Sequence, residues 1–288
     1  MRVAIQGERG SNSHMAALEM LHPSGQRPSA GDPGLGIVEV VPCSVSAEVV
    51  EAVLAGRVDA AVLPIENSLH GSVAEHYDLL LENAIRIDRE SLMRIRHNLI
   101  AAPGVRLEEV RRVLSHPVAL SQCRRYLAGM SEVQVLPFYD TAGSVKHLMA
   151  EGLRDTAGVA PALAAEEYGA EILVAGIEDH AENYTRFHLL RRSEDAREAG
   201  LPAANKLSVA FAVEHRPGTL VAALQRLAEA GVDLTKIESR PVPGRPWEYV
   251  FYVDFRFDAA EKADAALAAL GWECGMVKEL GRYAESRG

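Results

Sequence analysis

From Arg2 to about residue 190, short runs of β-type residues alternate with stretches of helical periodicity, and this alternation constrains the fold more than any other feature. It is the grammar of an α/β domain whose strands run largely parallel under a cover of helices. Residues 2–6, 37–41, 60–65, 98–102, 112–115, 133–138, 158–160, 172–175 and 187–191 read as strands. Residues 14–21, 47–54, 119–127, 142–149 and 162–168 read as helices. The Pro-, Gly- and Ser-rich run from Pro23 to Gly36 reads as a surface loop inside this domain. A charged, weakly patterned stretch after Leu190 ends in Gly200-Leu201-Pro202, which places one domain over 1–195, a linker over 196–205 and a second domain over 206–288. That second domain reads strand 207–213, helix 220–230, strand 233–239, strand 249–255, helix 259–270, strand 273–280. This is a ferredoxin-like βαββαβ unit. Such a unit leaves an edge strand and a sheet face in need of cover, so a homodimer or homotetramer is expected.

With 288 residues the chain is long enough for about two domains. A formal charge of −10 gives no positive field to gather nucleic acid, so an anionic substrate must be held by local donors. Cys43, Cys123 and Cys274 are too few and too scattered for a disulfide framework or a multi-Cys metal cluster, which fits a reducing compartment. Met1 runs directly into a strand-like segment, and no apolar stretch is long enough to span a bilayer, so a cytoplasmic location without membrane contact is expected. His70 and His76 lack the i, i+4 spacing of a helical metal pair, and no Gly-x-Gly-x-x-Gly or Walker-type loop is present. Trp247 and Trp272 read as packing residues of the small domain.

Three polar clusters carry the candidate chemistry. Glu66-Asn67-Ser68 follow an apolar strand, at the carboxyl end where open α/β sheets bind ligands, although Asn67 and Ser68 read equally well as caps of a following helix. Ser115-His116-Pro117, ahead of Gln122 and Cys123, carries the same ambiguity. Asn183-Tyr184-Thr185-Arg186-Phe187 places an amide, two hydroxyls and a guanidinium before an apolar strand. Arg forks onto carboxylates and Thr donates to a leaving oxygen, but a plain polar loop has the same composition.

Taken in order, the motifs resemble the prephenate dehydratase family. Ile5 to Ser11 with Ser13-His14 resembles its opening glycine-containing loop. Pro64-Ile65-Glu66-Asn67-Ser68 with Gly71-Ser72-Val73 is similar to its first signature. Ser115-His116-Pro117 with Gln122-Cys123, Thr141-Ala142, Ala164-Ala165, Tyr168-Gly169 and Asn183 with Thr185-Arg186-Phe187 complete the set. The tail resembles a phenylalanine-responsive ACT domain through Pro217-Gly218-Thr219-Leu220 and Leu234 to Pro241. The chain departs from these patterns at Ser11-Asn12, Val118, Pro161 and Thr219.

The resemblance implies a two-lobed, periplasmic-binding-protein-like catalytic domain followed by the ACT domain, and decarboxylative dehydration of prephenate to phenylpyruvate with no metal or organic cofactor. It assigns the key donor role to Thr185. It implies Glu66, Asn67, Ser68, Ser115 and Gln122 as catalytic neighbours and Arg186, Phe187, Thr141 and Ala142 as substrate-binding residues. Gly218, Thr219, Leu220, Glu238, Ser239 and Arg240 are implied as ligands of the effector L-phenylalanine. Arogenate dehydration and a non-catalytic amino-acid sensor are the competing functions.

Overall fold

The structure is a computed structural model and describes residues 1–22, 38–195, 202–242 and 248–286. The chain begins with β1 (Arg2–Gln6), α1 (Asn12–Leu21), β2 (Glu39–Cys43), α2 (Ser46–Leu54), β3 (Ala60–Asn67) and the short β4 (Gly71–Ser72). Next come α3 (Ala74–Glu82) and the ten-residue β5 (Ile85–Arg94). A second set follows: β6 (Asn98–Ala101), β7 (Arg112–Ser115), α4 (Pro117–Ser121), α5 (Arg124–Ala128), β8 (Gln134–Pro137), α6 (Thr141–Ala150), β9 (Thr156–Ala160), α7 (Ala162–Tyr168) and β10 (Glu171–Ala175). The chain then returns through β11 (Tyr184–Arg192) and closes with β12 (Lys206–Ala212), α8 (Thr219–Glu229), β13 (Asp233–Pro241), β14 (Tyr249–Arg256), α9 (Ala260–Glu273) and β15 (Met276–Tyr283).

The first sheet has the order β2-β1-β3-β11-β5, with β4 paired to β3, and β1 runs parallel to both of its neighbours. Val62, Leu63 and Ile65 of β3 are all buried, which is the near-continuous burial of a strand covered on both faces. The second sheet has the order β10-β6-β9-β7-β8. Here β7 is parallel to β8 and β9, but β6 is antiparallel to β9 and β10, so the expectation of largely parallel strands holds for only part of it. Leu99, Val113, Leu148 and Val159 form its core.

The C-terminal sheet, β13-β14-β12-β15, is the expected βαββαβ unit. Its strands alternate, with irregularities where β15 passes Ser208–Val209 and at Leu234–Lys236 of β13. Leu207, Val209 and Phe211 of β12 pack with Ala223, Leu227, Ala266 and Leu270 of the two helices. The opposite face carries Lys206 and Ser208, hydrogen-bonded to Glu90 and to Asp254 and Tyr283.

Compactness divides the chain differently from the linear reading. One unit is Met1–Ser72 with Ser91–Phe187, and the other takes Val73–Glu90 together with the chain from His188. The Pro23–Gly36 loop, residues 196–201 of the expected linker, Ile37 and Trp247 lie outside the described residues.

Four local expectations need correction. The single helix over 119–127 is two short ones, because the Gln122 carbonyl accepts from Asp179 N (2.7 Å) and is lost to the helical ladder. Glu273 closes α9 instead of opening a strand, since Cys274 N still bonds Leu270 O and only at Gly275 does the chain turn toward Ala212. Trp272 is 91% exposed, because Ala263, Ala266 and Leu270 take the buried face of α9. Asn67 and Ser68 do not cap a helix, since the cap position of α3 falls to Val73.

Candidate active site

The carboxyl end of β3 and the start of β11 are tied together by one side chain. Asn67 Oδ1 accepts from the backbone N–H groups of Leu69 (3.0 Å) and His70 (3.1 Å), an Asx-type turn that fixes which end of the carboxamide is oxygen. Its Nδ2 therefore faces β11, donating to Asn183 Oδ1 (2.7 Å), Tyr184 O (3.1 Å) and Thr185 Oγ1 (2.9 Å). The consequence falls on Thr185. Its oxygen already accepts from Asn67, and its own O–H has no acceptor among the described residues. A buried hydroxyl fixed in this way is prepared to donate to something else.

Glu66 and Arg186, adjacent to this pair, form an ion pair of 3.2 Å. The ion pair leaves the carboxylate the more exposed partner, its side chain at 36% against 10% for the arginine. Ser68 completes the seam: its N–H donates to Tyr184 O (2.8 Å), and its hydroxyl accepts from Tyr184 N (3.0 Å). Ser68 is thereby a splice between the strands.

His70, set aside in sequence for lack of a metal partner, joins this site. Gln122 Nε2 lies 3.1 Å from His70 Nδ1, and Gln122 Oε1 lies 2.7 Å from His97 Nε2. His70 Nε2 lies 3.3 Å from Ser121 Oγ. Asn67, His70, Gln122 and His97 thus make a continuous polar chain from the first sheet to α4. Burial lowers the pKa of His97 and so favours its neutral ring; an amide oxygen can only accept, so the 2.7 Å contact with Gln122 Oε1 calls for the tautomer with the proton on Nε2. Nothing in the sequence marked His70 beyond its place three residues after Asn67.

On the other side of the same unit, the loop after β1 is pinned to α6 and α7. Glu8 accepts from Tyr139 (2.9 Å) and Lys146 (2.9 Å), and Arg9 pairs with Glu167 (2.5 Å). Tyr168 donates to Arg9 O (2.8 Å), and Asp140 caps α6 through Gly143 N (2.7 Å). Burial raises the Asp140 carboxyl and, aided by the hydrogen bond to Glu8, pushes the Tyr139 phenol up to about 12. Gly10 has φ +82°, and an added Cβ would meet Ala164 Cα at 2.7 Å, so this loop touches α7 backbone to backbone. Tyr139, Asp140 and Lys146 were not singled out in sequence, and Glu8 entered there only as part of the Ile5 to Ser11 loop.

The remaining expected residues divide. Thr141 opens α6 half-buried, its hydroxyl without a hydrogen bond among the described residues. Ala142 and Phe187 are core residues. Ser115 is fully buried, and its hydroxyl donates to Val159 O (2.6 Å) within the second sheet; among the described residues no hydrogen bond links it to the Asn67–Thr185 cluster. His116, not Ser115, caps α4, with Pro117 at the first turn. In the C-terminal unit, Gly218 (φ +89°), Thr219 and Leu220 line a groove of about 360 Å³ shared with Val213, Tyr249 and Phe251. The Thr219 hydroxyl is taken up by the carbonyls of Glu214 (2.7 Å) and Arg216 (2.9 Å). Along β13 the second motif splits. Ser239 is in register with Phe251 of the groove, whereas Glu238 and Arg240 alternate to the other face of the sheet.

Fold and site together define an α/β enzyme whose polar groups gather at strand ends, with a fixed hydroxyl and an arginine among them. The sequence profile of prephenate dehydratase matches residues 3–195. An arogenate dehydratase/prephenate dehydratase of Arabidopsis thaliana is 40% identical over 98% of this chain and 72% of its own length. The crystal structure of a prephenate dehydratase from Arthrobacter aurescens in complex with L-Phe superposes with a TM-score of 0.84 at 31% identity, covering 99% of this chain and 90% of that one. A structure described as GqqA, a novel type of quorum quenching acylase, superposes at 0.83 with 33% identity over 99% of this chain and 98% of its own. The chain belongs to the prephenate dehydratase family. It is a carbon–oxygen hydro-lyase with the mixed α/β architecture of that family.

Proposed function

We propose that this protein converts prephenate to phenylpyruvate in L-phenylalanine biosynthesis and responds to L-phenylalanine. The observation that carries the catalytic reading is the Thr185 hydroxyl, buried and oriented by Asn67 with its proton uncommitted among the described residues. In the reaction the bond to the ring carboxylate breaks and releases carbon dioxide. Its electron pair enters the ring, the C–O bond opposite breaks, and the hydroxyl departs as water after taking up one proton. Aromatisation supplies the driving force, so the protein's task is orientation and stabilisation of the leaving oxygen. A threonine is too weak an acid to serve by acidity, and a hydrogen bond pre-aimed at the developing charge is the effective contribution. Arg186 offers a fork to a substrate carboxylate, with Glu66 holding that fork in place. No step in this scheme calls for a metal or organic cofactor.

Thr185→Val removes the donor while keeping the shape. Turnover should fall about 100-fold or more, the usual cost of one preorganised donor, with an unchanged circular dichroism spectrum, and Thr185→Ser should recover much of it. Arg186→Ala should act mainly on KM. Near wild-type phenylpyruvate formation by Thr185→Val and Arg186→Ala would remove the assignment.

Arogenate is the second reading, favoured by the double name of the 40% identical plant relative. Arogenate replaces the pyruvyl ketone by an amino acid group, whose ammonium calls for a carboxylate. The Glu66 carboxylate is engaged with Arg186, which supports prephenate. The ratio of kcat/KM for the two substrates decides between them.

For regulation, the groove at Gly218 combines apolar walls from Leu220 and Phe251 with the N-terminus of the eleven-residue α8, which suits an amino acid carboxylate beside an aromatic side chain. The L-Phe complex of the 31% identical relative supports the same ligand. Absence of heat on titrating phenylalanine into the full-length protein would refute it. The exposed edge of β13 supports assembly into a homodimer or homotetramer, which light scattering measures. A cytoplasmic location, tested by fractionation, completes the reading.

A further inference from the structure

The arginine of the second C-terminal motif is committed to another residue. Arg240 Nη2 lies 2.7 Å and Nε 3.4 Å from the two oxygens of Asp78 on α3. Three more contacts hold the same helix to the same sheet. Tyr77 packs against Tyr252 with ring centroids 5.0 Å apart, and Lys236 stands over the Tyr77 ring at 5.7 Å. Lys278 donates to the carbonyls of Leu80 (2.9 Å), Leu81 (2.7 Å) and Asn83 (2.7 Å). An ammonium has three N–H donors, and the end of a helix has carbonyls without intrahelical partners, so Lys278 is matched in number and charge to the C-terminus of α3.

At its other end α3 is joined through Val73 to β4. That strand pairs directly with the chemistry: Ser72 is in register with Glu66 and Gly71 with Asn67. The hairpin whose carboxamide orients Thr185 is therefore one residue from a helix clamped by β13, β14 and β15.

We infer that Asp78, Arg240 and Lys278 are positioning residues: through α3 they set the Glu66–Asn67 hairpin, and Arg240 transmits the state of the C-terminal sheet to it, acting not as an effector ligand but as a coupler. This rests on the phenylalanine reading for its regulatory half. The mechanical half, from α3 to the hairpin, stands without it.

Two measurements on the full-length protein test the halves separately. In Asp78→Asn, the backbone amides of residues 67–72 should exchange with deuterium faster than in wild type; unchanged exchange overturns the link. In the same variant phenylalanine should bind with wild-type affinity by calorimetry, while the ratio of turnover without and with phenylalanine moves toward one. The charge-swapped pair Asp78→Arg with Arg240→Asp should restore that ratio, and Lys278→Met should repeat the faster exchange without touching the ion pair. A variant that loses phenylalanine binding in parallel with its response returns Arg240 to the effector site and overturns the coupling role, as does a response equal to wild type. A wild type that ignores phenylalanine sinks the regulatory reading, with the exchange result still deciding the mechanical link.

Discussion

Asn67 shows how much of a site can depend on one carboxamide. Asn67→Asp keeps the shape but turns a donor shared by three acceptors into a fourth acceptor, and unsatisfied polar groups cost about 1–3 kcal/mol. The variant should melt earlier and lose turnover together, which a melting curve and a rate assay on one sample would show. His97 gives a pH signature. Its folded pKa is depressed by burial, so the stability it contributes is present above the unfolded value of about 6.5 and is lost as pH falls through the folded value. Melting temperature should therefore drop on acidification below that point, and the drop should be shallower in His97→Gln. The sequence made Asn67, Thr185 and Arg186 legible, because polar residues at strand ends are chemically conspicuous. It hid the partners of Glu8, Tyr139 and Lys146, which gain meaning only where the loop after β1 meets the start of α6, more than a hundred residues away.

Elements were legible where one face sets the period. The C-terminal strands and helices fell close to their expected places, because Leu207, Val209 and Phe211 alternate against helices with their own apolar stripe. β5 escaped notice, since buried Asp88, Glu90 and Ser91 interrupt its apolar pattern, and the cations beside the two carboxylates include Arg191 and Lys206 from far along the chain as well as the local Arg86. Its packing is also tight. An added Cβ at Gly281 of β15 would lie 2.3 Å from Ile87 O. Gly281→Ala should cost roughly 1–3 kcal/mol by overpacking, seen as a lower denaturation midpoint. Gly10→Ala pushes the β1 loop off α7, and we expect a lower denaturation midpoint here too, since the added Cβ would lie 2.7 Å from Ala164 Cα at a φ of +82°.

At the scale of the whole molecule, the linear division at 195–206 and the compact division differ in one respect that matters: α3 and most of β5 belong with the C-terminal chain. A fragment ending at residue 195 keeps every candidate catalytic residue yet strips α3 of Arg240, Tyr252 and Lys278 and leaves Glu90 buried without Lys206. Breaking a buried ion pair by removing one partner costs about 3–5 kcal/mol. Such a fragment should accordingly be insoluble or unfold well below the full-length chain in a thermal scan. β11 sharpens the point, for it carries Thr185 and Arg186 in one unit and, two residues beyond Arg186, His188 beside Tyr283 in the other. A recombination event that cut the gene at the boundary between Phe187 and His188 would divide that strand. Because β5 and β11 each run from one unit into the other, no single cut in the gene separates the two units, and substitution is the simpler way to retune the C-terminal portion.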